Sequence, residues 1–359
     1  MKNKNNVNIS LIFLLYFLST IVIFYSFKSY YYPIILLPIL INLILLKVNK
    51  KTWLLWILTI FISFIFRLLT YKIGWNIHDL NIFLLNNNFY SKKQELLNQI
   101  DNIYKNEYVN EFIKLLMFNE KNYNSDFYKS ICSLGITYLF VVSGLHINLI
   151  LFPIRKLFQN KPYPYYIFSI LFCFCYSYLL NYSISILRIL FSNLILLIFN
   201  KKLNNFISTI ISGWILLLIF SKEIYSASYI MSYLCTLLII WLTTKIKNKF
   251  LLFFLINVLC FLLTIPIILN FNKRINIFIF FYNILFTNII SFIYIYLLIF
   301  AFIPPFAEIN SKIILFIQNL IAITNVTSIF IEIPRTFTWS NSVYFSTLLG
   351  IFVFFNKKN

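Results

Sequence analysis

The sequence predicts an all-α, polytopic membrane protein with about 10–12 transmembrane helices and one short extracytoplasmic helical segment. Three observations predict it. Hydrophobic residues make up 61% of the 359 and charged residues 11%. Apolar runs of bilayer length recur from end to end, and the basic residues gather in the short stretches between them. No soluble domain keeps so many such runs out of water. The formal charge of +20 would suggest nucleic acid in a soluble chain, but in a membrane protein Lys and Arg collect in cytoplasmic loops.

Lys2 and Lys4 precede an apolar run from Ile9 to Phe27 with no small-residue cleavage site after it, so it is expected to be retained as a first helix. Spans over 33–47 and 53–71 follow, the former short and with Pro33 and Pro38 positioned to bend it. Residues 1–71 thus form an N-terminal group of transmembrane helices. Residues 72–130 differ in kind, because they carry seven of the ten acids (Asp79, Glu95, Asp101, Glu107, Glu111, Glu120 and Asp126). Leu96, Leu97, Ile100, Ile103, Tyr104, Tyr108, Phe112, Leu115 and Leu116 recur there at helical spacing between charges, predicting an extracytoplasmic amphipathic helix.

Residues 131–359 return to apolar spans, at 131–152, 163–180, 183–199, 206–221, 224–244, 250–271, 275–303, 311–333 and 343–355. With the N-terminus inside, about twelve spans put both ends in the cytoplasm. That arrangement places 16 of the 30 basic residues on the cytoplasmic side against one acid, Glu308, with Lys312 beside it. The five cysteines (Cys132, Cys173, Cys175, Cys235 and Cys260) lie in or beside spans without metal-ligand spacing and read as packing residues.

Polar residues inside spans carry the functional signal. Leu134 to Leu149, LGITYLFVVSGLHINL, is long enough to enter a bilayer yet is interrupted by Ser143, Gly144 and His146. His146 is one of two histidines, too few for a metal site, so a path-lining or backbone-tethering role fits it. Arg188 shares a helical face with Ser185 and Ser192. A guanidinium there needs a partner, a wet cavity or an anion, or else it snorkels or anchors structure. Arg67, near a span end, is expected to snorkel. Asn257, Asn283, Thr287 and Asn288 are expected to make interhelical hydrogen bonds or to line an aqueous path. No Walker loop, HxHxDH cluster or GxSxG elbow occurs. No catalytic residue, metal or cofactor is therefore expected, and the protein is not expected to be an enzyme.

With these residues in view, LGITYLFVVSGLHINL resembles the SGLH signature of the ComEC competence family, bacterial membrane channels for imported DNA. NYSISILRILFSNLI, SASYIMSYLCTLLI and FLLTIPIILNFNK with FFYNILFTN are similar to that family's later segments in the same order, over about residues 110–300. Tyr138, Ile189 and Ser228 stand where the family has histidine, alanine and glycine. The resemblance implies a multi-pass channel in the bacterial cytoplasmic membrane for single-stranded DNA during uptake and transformation, possessing only the transmembrane competence domain. Ser143, Gly144, His146, Ser185, Arg188 and Asn283 are then the candidates for the DNA path. The implied partners are single-stranded DNA, the lipid bilayer, a cytoplasmic helicase-like ATPase, an outer DNA-receptor protein and a second copy of the chain in a homo-oligomer. Strand degradation, which the family assigns to a nuclease domain, is not implied. Two other readings stay open: a polytopic transporter or flippase, and a membrane enzyme acting on lipid-linked substrates through Asp79, Asp101 or Asp126.

Overall fold

A computed structural model describes residues 2–26, 32–46, 48–73, 89–159, 162–200, 202–272 and 274–332. The chain is an all-α polytopic membrane protein. Among the described residues, six helical stretches are long and apolar enough to cross a bilayer: Ile9–Ser26, Lys50–Thr70, Thr137–Leu157, Ala227–Lys245, Ile279–Phe300 and Pro304–Val326. Leu36–Leu45, Ile184–Ile198, Asn205–Ile219 and Lys249–Ile265 are shorter apolar helices. The span expected over 343–355 lies outside the described residues, as do His78 and Asp79.

Contacts divide the chain into two compact units, one of residues 1–77, 191–270 and 335–359, the other of 78–190 and 271–334. In the first, α1 (Lys2–Ser26) is the core element. Leu14, Leu15, Phe17, Leu18, Ile21, Val22, Phe24 and Tyr25 are all buried. A 3-10 turn over Tyr32–Ile35 leads into α2 (Leu36–Leu45), so the short second span begins in a tight turn at Pro33. Helix α3 (Lys50–Ile73) runs parallel to α1. Tyr16 Oη donates to the Thr52 carbonyl at 2.6 Å, Trp56 Nε1 to Ser19 Oγ at 2.8 Å and Ser63 Oγ to Thr20 Oγ1 at 3.3 Å. Its other face exposes Leu54, Ile57, Phe61, Leu68 and Leu69, as a lipid-facing helix does.

Arg67 does not snorkel. It is 2% exposed, its Cζ 5.7 Å from the Phe24 ring centroid, because α1 covers the face of α3 from which it projects.

Helices α11 (Asn205–Ile219) and α12 (Ala227–Lys245) complete this unit with most of α13 (Lys249–Asn272) and the second part of α10 (Ile184–Ile198). Asn204 Nδ2 donates to Ser10 Oγ at 2.9 Å, and Tyr25 Oη to the Ile224 carbonyl at 2.5 Å. Each pair joins groups that the charge rule places on the same side of the membrane. Gly213 lets α11 close on α1: a Cβ there would lie 2.7 Å from Phe17 Cε2 and 3.1 Å from Tyr233 Cε1.

The second unit opens with α4 (Phe89–Ile103), α5 (Glu107–Phe118) and α6 (Asp126–Ser133). The single amphipathic periodicity over 96–116 is therefore two helices. Asn106 separates them by capping α5, its side chain accepting from the Val109 N–H at 3.2 Å. Val109, Phe112, Ile113, Leu115, Leu116 and Met117 of α5 are buried, so this helix packs inside the unit. Next come α7 (Thr137–Phe140), α8 (Gly144–Leu157), α9 (Pro162–Leu179) and the start of α10, then α14 (Ile279–Phe300) and α15 (Ala307–Val326). The expected span 131–152 is thus broken into the end of α6, α7 and α8. A short antiparallel ribbon, β1 (Arg274–Asn276) on β2 (Phe330–Glu332), frames α14 and α15. Strands of three residues leave no periodicity to read in the sequence.

Tyr104 Oη donates to the Ala301 carbonyl at 2.9 Å and accepts from Asn310 Nδ2 at 2.6 Å. At the other end of α15, Ser133 Oγ donates to Asn325 Oδ1 at 3.2 Å, so the stretch from Tyr104 to Ser133 lies along α15 from its start to its end. Near the start of α15, Glu308 and Lys312 pair at 2.6 Å, one turn apart.

Two measurements check this fold. Gly213→Val should lower stability by about 1–3 kcal/mol, read as an earlier thermal unfolding transition of the detergent-purified protein. In a cysteine-free background, Tyr123→Cys should react with an impermeant maleimide from one side of the membrane and Lys202→Cys from the other.

Candidate site at a broken membrane helix

The break between α7 and α8 is built by three residues. Ser143 is extended (φ −104°, ψ 169°) and caps α8. Its backbone N–H donates to His146 Nδ1 at 3.0 Å, and its Oγ lies 3.2 Å from the same nitrogen. A ring nitrogen that accepts an N–H bond carries no proton, so the neutral imidazole holds its proton on Nε2. His146 is 3% exposed. Its first task is to tether the exposed backbone of a helix start, which would otherwise be unsatisfied at membrane depth.

The imidazole packs on Tyr294, ring centroids 4.7 Å apart. Tyr176 Oη donates to the Met117 carbonyl at 3.3 Å and lies 2.6 Å from Tyr294 Oη, which then donates to it. A buried chain of groups thus joins the end of α5 to the start of α8 through α9 and α14.

Gly144 opens α8 beneath Arg188. A Cβ at 144 would overlap Nη2 of Arg188 and would sit 3.6 Å from its Cζ and 3.8 Å from Ile189 Cδ1. Only glycine admits the guanidinium to the helix backbone at this distance. Arg188 is 6% exposed. A helix start carries roughly half a positive charge, so two positive, hydrogen-donating groups converge on one spot. Such an arrangement is of the kind that suits an anion.

The other path candidates stand elsewhere. Ser185, half-buried, lies three residues before Arg188 on α10. Ser192, on the same helix, donates to Ser212 Oγ at 3.1 Å within the first unit. Asn283 of α14 is 6% exposed, and among the described residues neither its Oδ1 nor its Nδ2 has a hydrogen-bond partner. Leaving such an amide unsatisfied costs about 1–3 kcal/mol. The interhelical role expected of the neighbouring polar residues is not observed. Asn257 and Asn288 donate to the carbonyls of Phe253 and Ile284, and Thr287 to that of Asn283, each one turn back on its own helix.

Of the acids weighed for chemistry, Asp101 is bonded to Asn110 at 2.8 Å and to Lys114 at 2.5 Å. Asp126 sits in the first turn of α6. Among the described residues, no three His, Cys, Asp or Glu side chains are grouped to hold a metal.

Sequence reasoning missed Tyr176 and Tyr294, because two tyrosines among 25 in apolar helices carry no distinguishing pattern. It also missed Lys93, which reads as one lysine of a charged face. Buried at 4% exposure, it bonds Glu120 and Asn181.

A polytopic helical bundle whose apolar span is interrupted at Ser-Gly-Leu-His, with an intramembrane arginine packed on the break, defines a membrane protein organised around a polar point inside its second unit. The chain belongs to the competence protein family, whose model matches residues 115–356. It is 25% identical over 206 residues to MG316, an uncharacterized protein of Mycoplasma genitalium, covering 57% of this chain and 54% of that protein. It is 28% identical over 183 residues to the MG316 homologue of Mycoplasma pneumoniae, covering 50% and 48%. The chain thus spans about half the length of the curated relatives it matches. No solved structure matches.

The dependence of Gly144 on Arg188 is measurable. In a double-mutant cycle of Gly144→Ala and Arg188→Ala, the two stability losses should be non-additive by about 0.5–3 kcal/mol, alanine at 144 being better tolerated once the guanidinium is gone.

Proposed function

We propose that this protein is a conduit for single-stranded DNA across the bacterial cytoplasmic membrane during DNA uptake. The observation that carries the proposal is the guanidinium of Arg188 lying on the start of α8 inside a membrane span. A phosphodiester is the anion that such a donor pair suits. A polyanion must be passed along and not held, so sparse donor groups serve better than a dense basic groove. The unengaged amide of Asn283 supplies a second hydrogen-bonding station, offering both a donor and an acceptor to bases or to water. Membership of the competence protein family supports the same reading.

In this scheme the protein makes and breaks no covalent bond. Its sequence holds no nucleotide-binding loop, so the driving force comes from a partner, a cytoplasmic helicase-like ATPase, with an outer DNA-receptor protein delivering the strand. In this reading both termini lie in the cytoplasm, and a homo-oligomer would multiply the path. Ser143, Gly144, His146, Ser185, Arg188 and Asn283 are the residues assigned to it.

The test is uptake of labelled DNA by competent cells, scored as nuclease-protected label. Arg188→Ala at equal protein level should reduce protected label at least about tenfold, the equivalent of 1.4 kcal/mol, with surface-bound DNA unchanged. Arg188→Lys should retain part of it, since lysine keeps the charge and loses the fork. Normal uptake by Arg188→Ala would overturn the assignment. Normal uptake in a strain lacking the gene would move the site to another anion, such as a lipid phosphate handled by a flippase.

A further inference from the structure

We propose that Lys93, Glu120 and Asn181 form a latch outside the membrane spans that holds Arg188 over the start of α8, so that releasing it frees the broken helix. Lys93 of α4 is 4% exposed. Its Nζ bonds the Glu120 carboxylate and donates to Asn181 Oδ1 at 2.6 Å, while Asn181 Nδ2 donates to Glu120 Oε1 at 3.3 Å. The three groups close a triangle between residues 27 and 88 positions apart. Burial lowers the pKa of Lys93, and the bond to Glu120 opposes that shift.

Asn181 sits in the turn joining α9 to α10, where it and Tyr182 both have φ of 53°. Two successive non-glycine residues in the left-handed region persist only where surrounding bonds hold them. The Tyr182 N–H donates to the Ser177 carbonyl at 2.7 Å, and the Lys93 bond secures the turn from the other side. Each arm leaving this turn ends at the start of α8. Tyr176, five residues before Asn181, is bonded to Tyr294, on which His146 packs. Arg188, seven residues after it, lies on Gly144. A shift of the turn therefore moves both groups that hold the helix break.

The latch is open to control from one side. The Glu120 side chain is 39% exposed and that of Lys93 only 5%. Glu120 also lines a cavity of about 490 Å³ with Asp101, Lys114 and Tyr128. A group entering this cavity reaches the carboxylate without displacing the lysine first.

The test is amide hydrogen exchange on the purified full-length protein, comparing wild type with Glu120→Gln and Lys93→Met. Exchange of the first hydrogen-bonded amides of α8, residues 147–151, should quicken at least about tenfold in both variants, with α11 and α12 unchanged. Faster exchange confined to α4 would show that the bonds only pin that helix. Faster exchange throughout the second unit in both variants would show a general structural tie. Either result overturns the latch. The proposal deepens the reading of the site as a DNA path, but exchange is measured without DNA, so failure of the uptake assay and failure of the latch are told apart.

Discussion

A buried cation resting on the positive end of a helix is the constraint to which the second unit answers. Charges at membrane depth are tolerated only when held by hydrogen-bonding groups or by a wet cavity. Here the tolerance is local. A glycine removes the Cβ that would keep the guanidinium away. The span is broken at that glycine, so that free backbone donors end there, and the imidazole of His146 takes up the Ser143 N–H left by the break. Tyr294 then fixes the imidazole plane, and Tyr176 fixes Tyr294. Each residue in the series follows from the one before it.

The first unit shows the opposite economy of polar groups. Hydroxyls and indole N–H groups of α1, α3, α11 and α12 are spent within the bundle: Trp56 on Ser19, Trp214 on Thr20, Tyr229 on the Gly213 carbonyl. Lipid offers no hydrophobic drive between helices, so such bonds and the close approach at Gly213 supply cohesion. Arg67 is absorbed into this packing, with Phe24 beneath it.

Much of this was legible in the sequence. The helical class followed from the apolar runs, and the Ser-Gly-Leu-His interruption marked the place where the helix does break. Arg188 stood out because guanidinium groups are rare inside spans. Less visible was that Gly144 and Arg188 are one feature, since 44 positions separate them and only the fold supplies the overlap. The Tyr104 tie was hidden for a different reason: its residue looked like any other apolar position on an amphipathic face. The two helices of that face also read as one, because the Asn106 cap leaves the spacing of the apolar residues undisturbed. Asn257 and Asn288 misled, as an asparagine in a span can satisfy its own helix as readily as a neighbour.

The tie between Tyr104 and the α14–α15 turn has a consequence for biogenesis. Its partners are 197 and 206 residues further along the chain, so Tyr104 leaves the ribosome long before either exists. The tie therefore closes only when these later helices dock onto a segment already made. This part of the second unit therefore reaches its final packing only after the last of its helices is made.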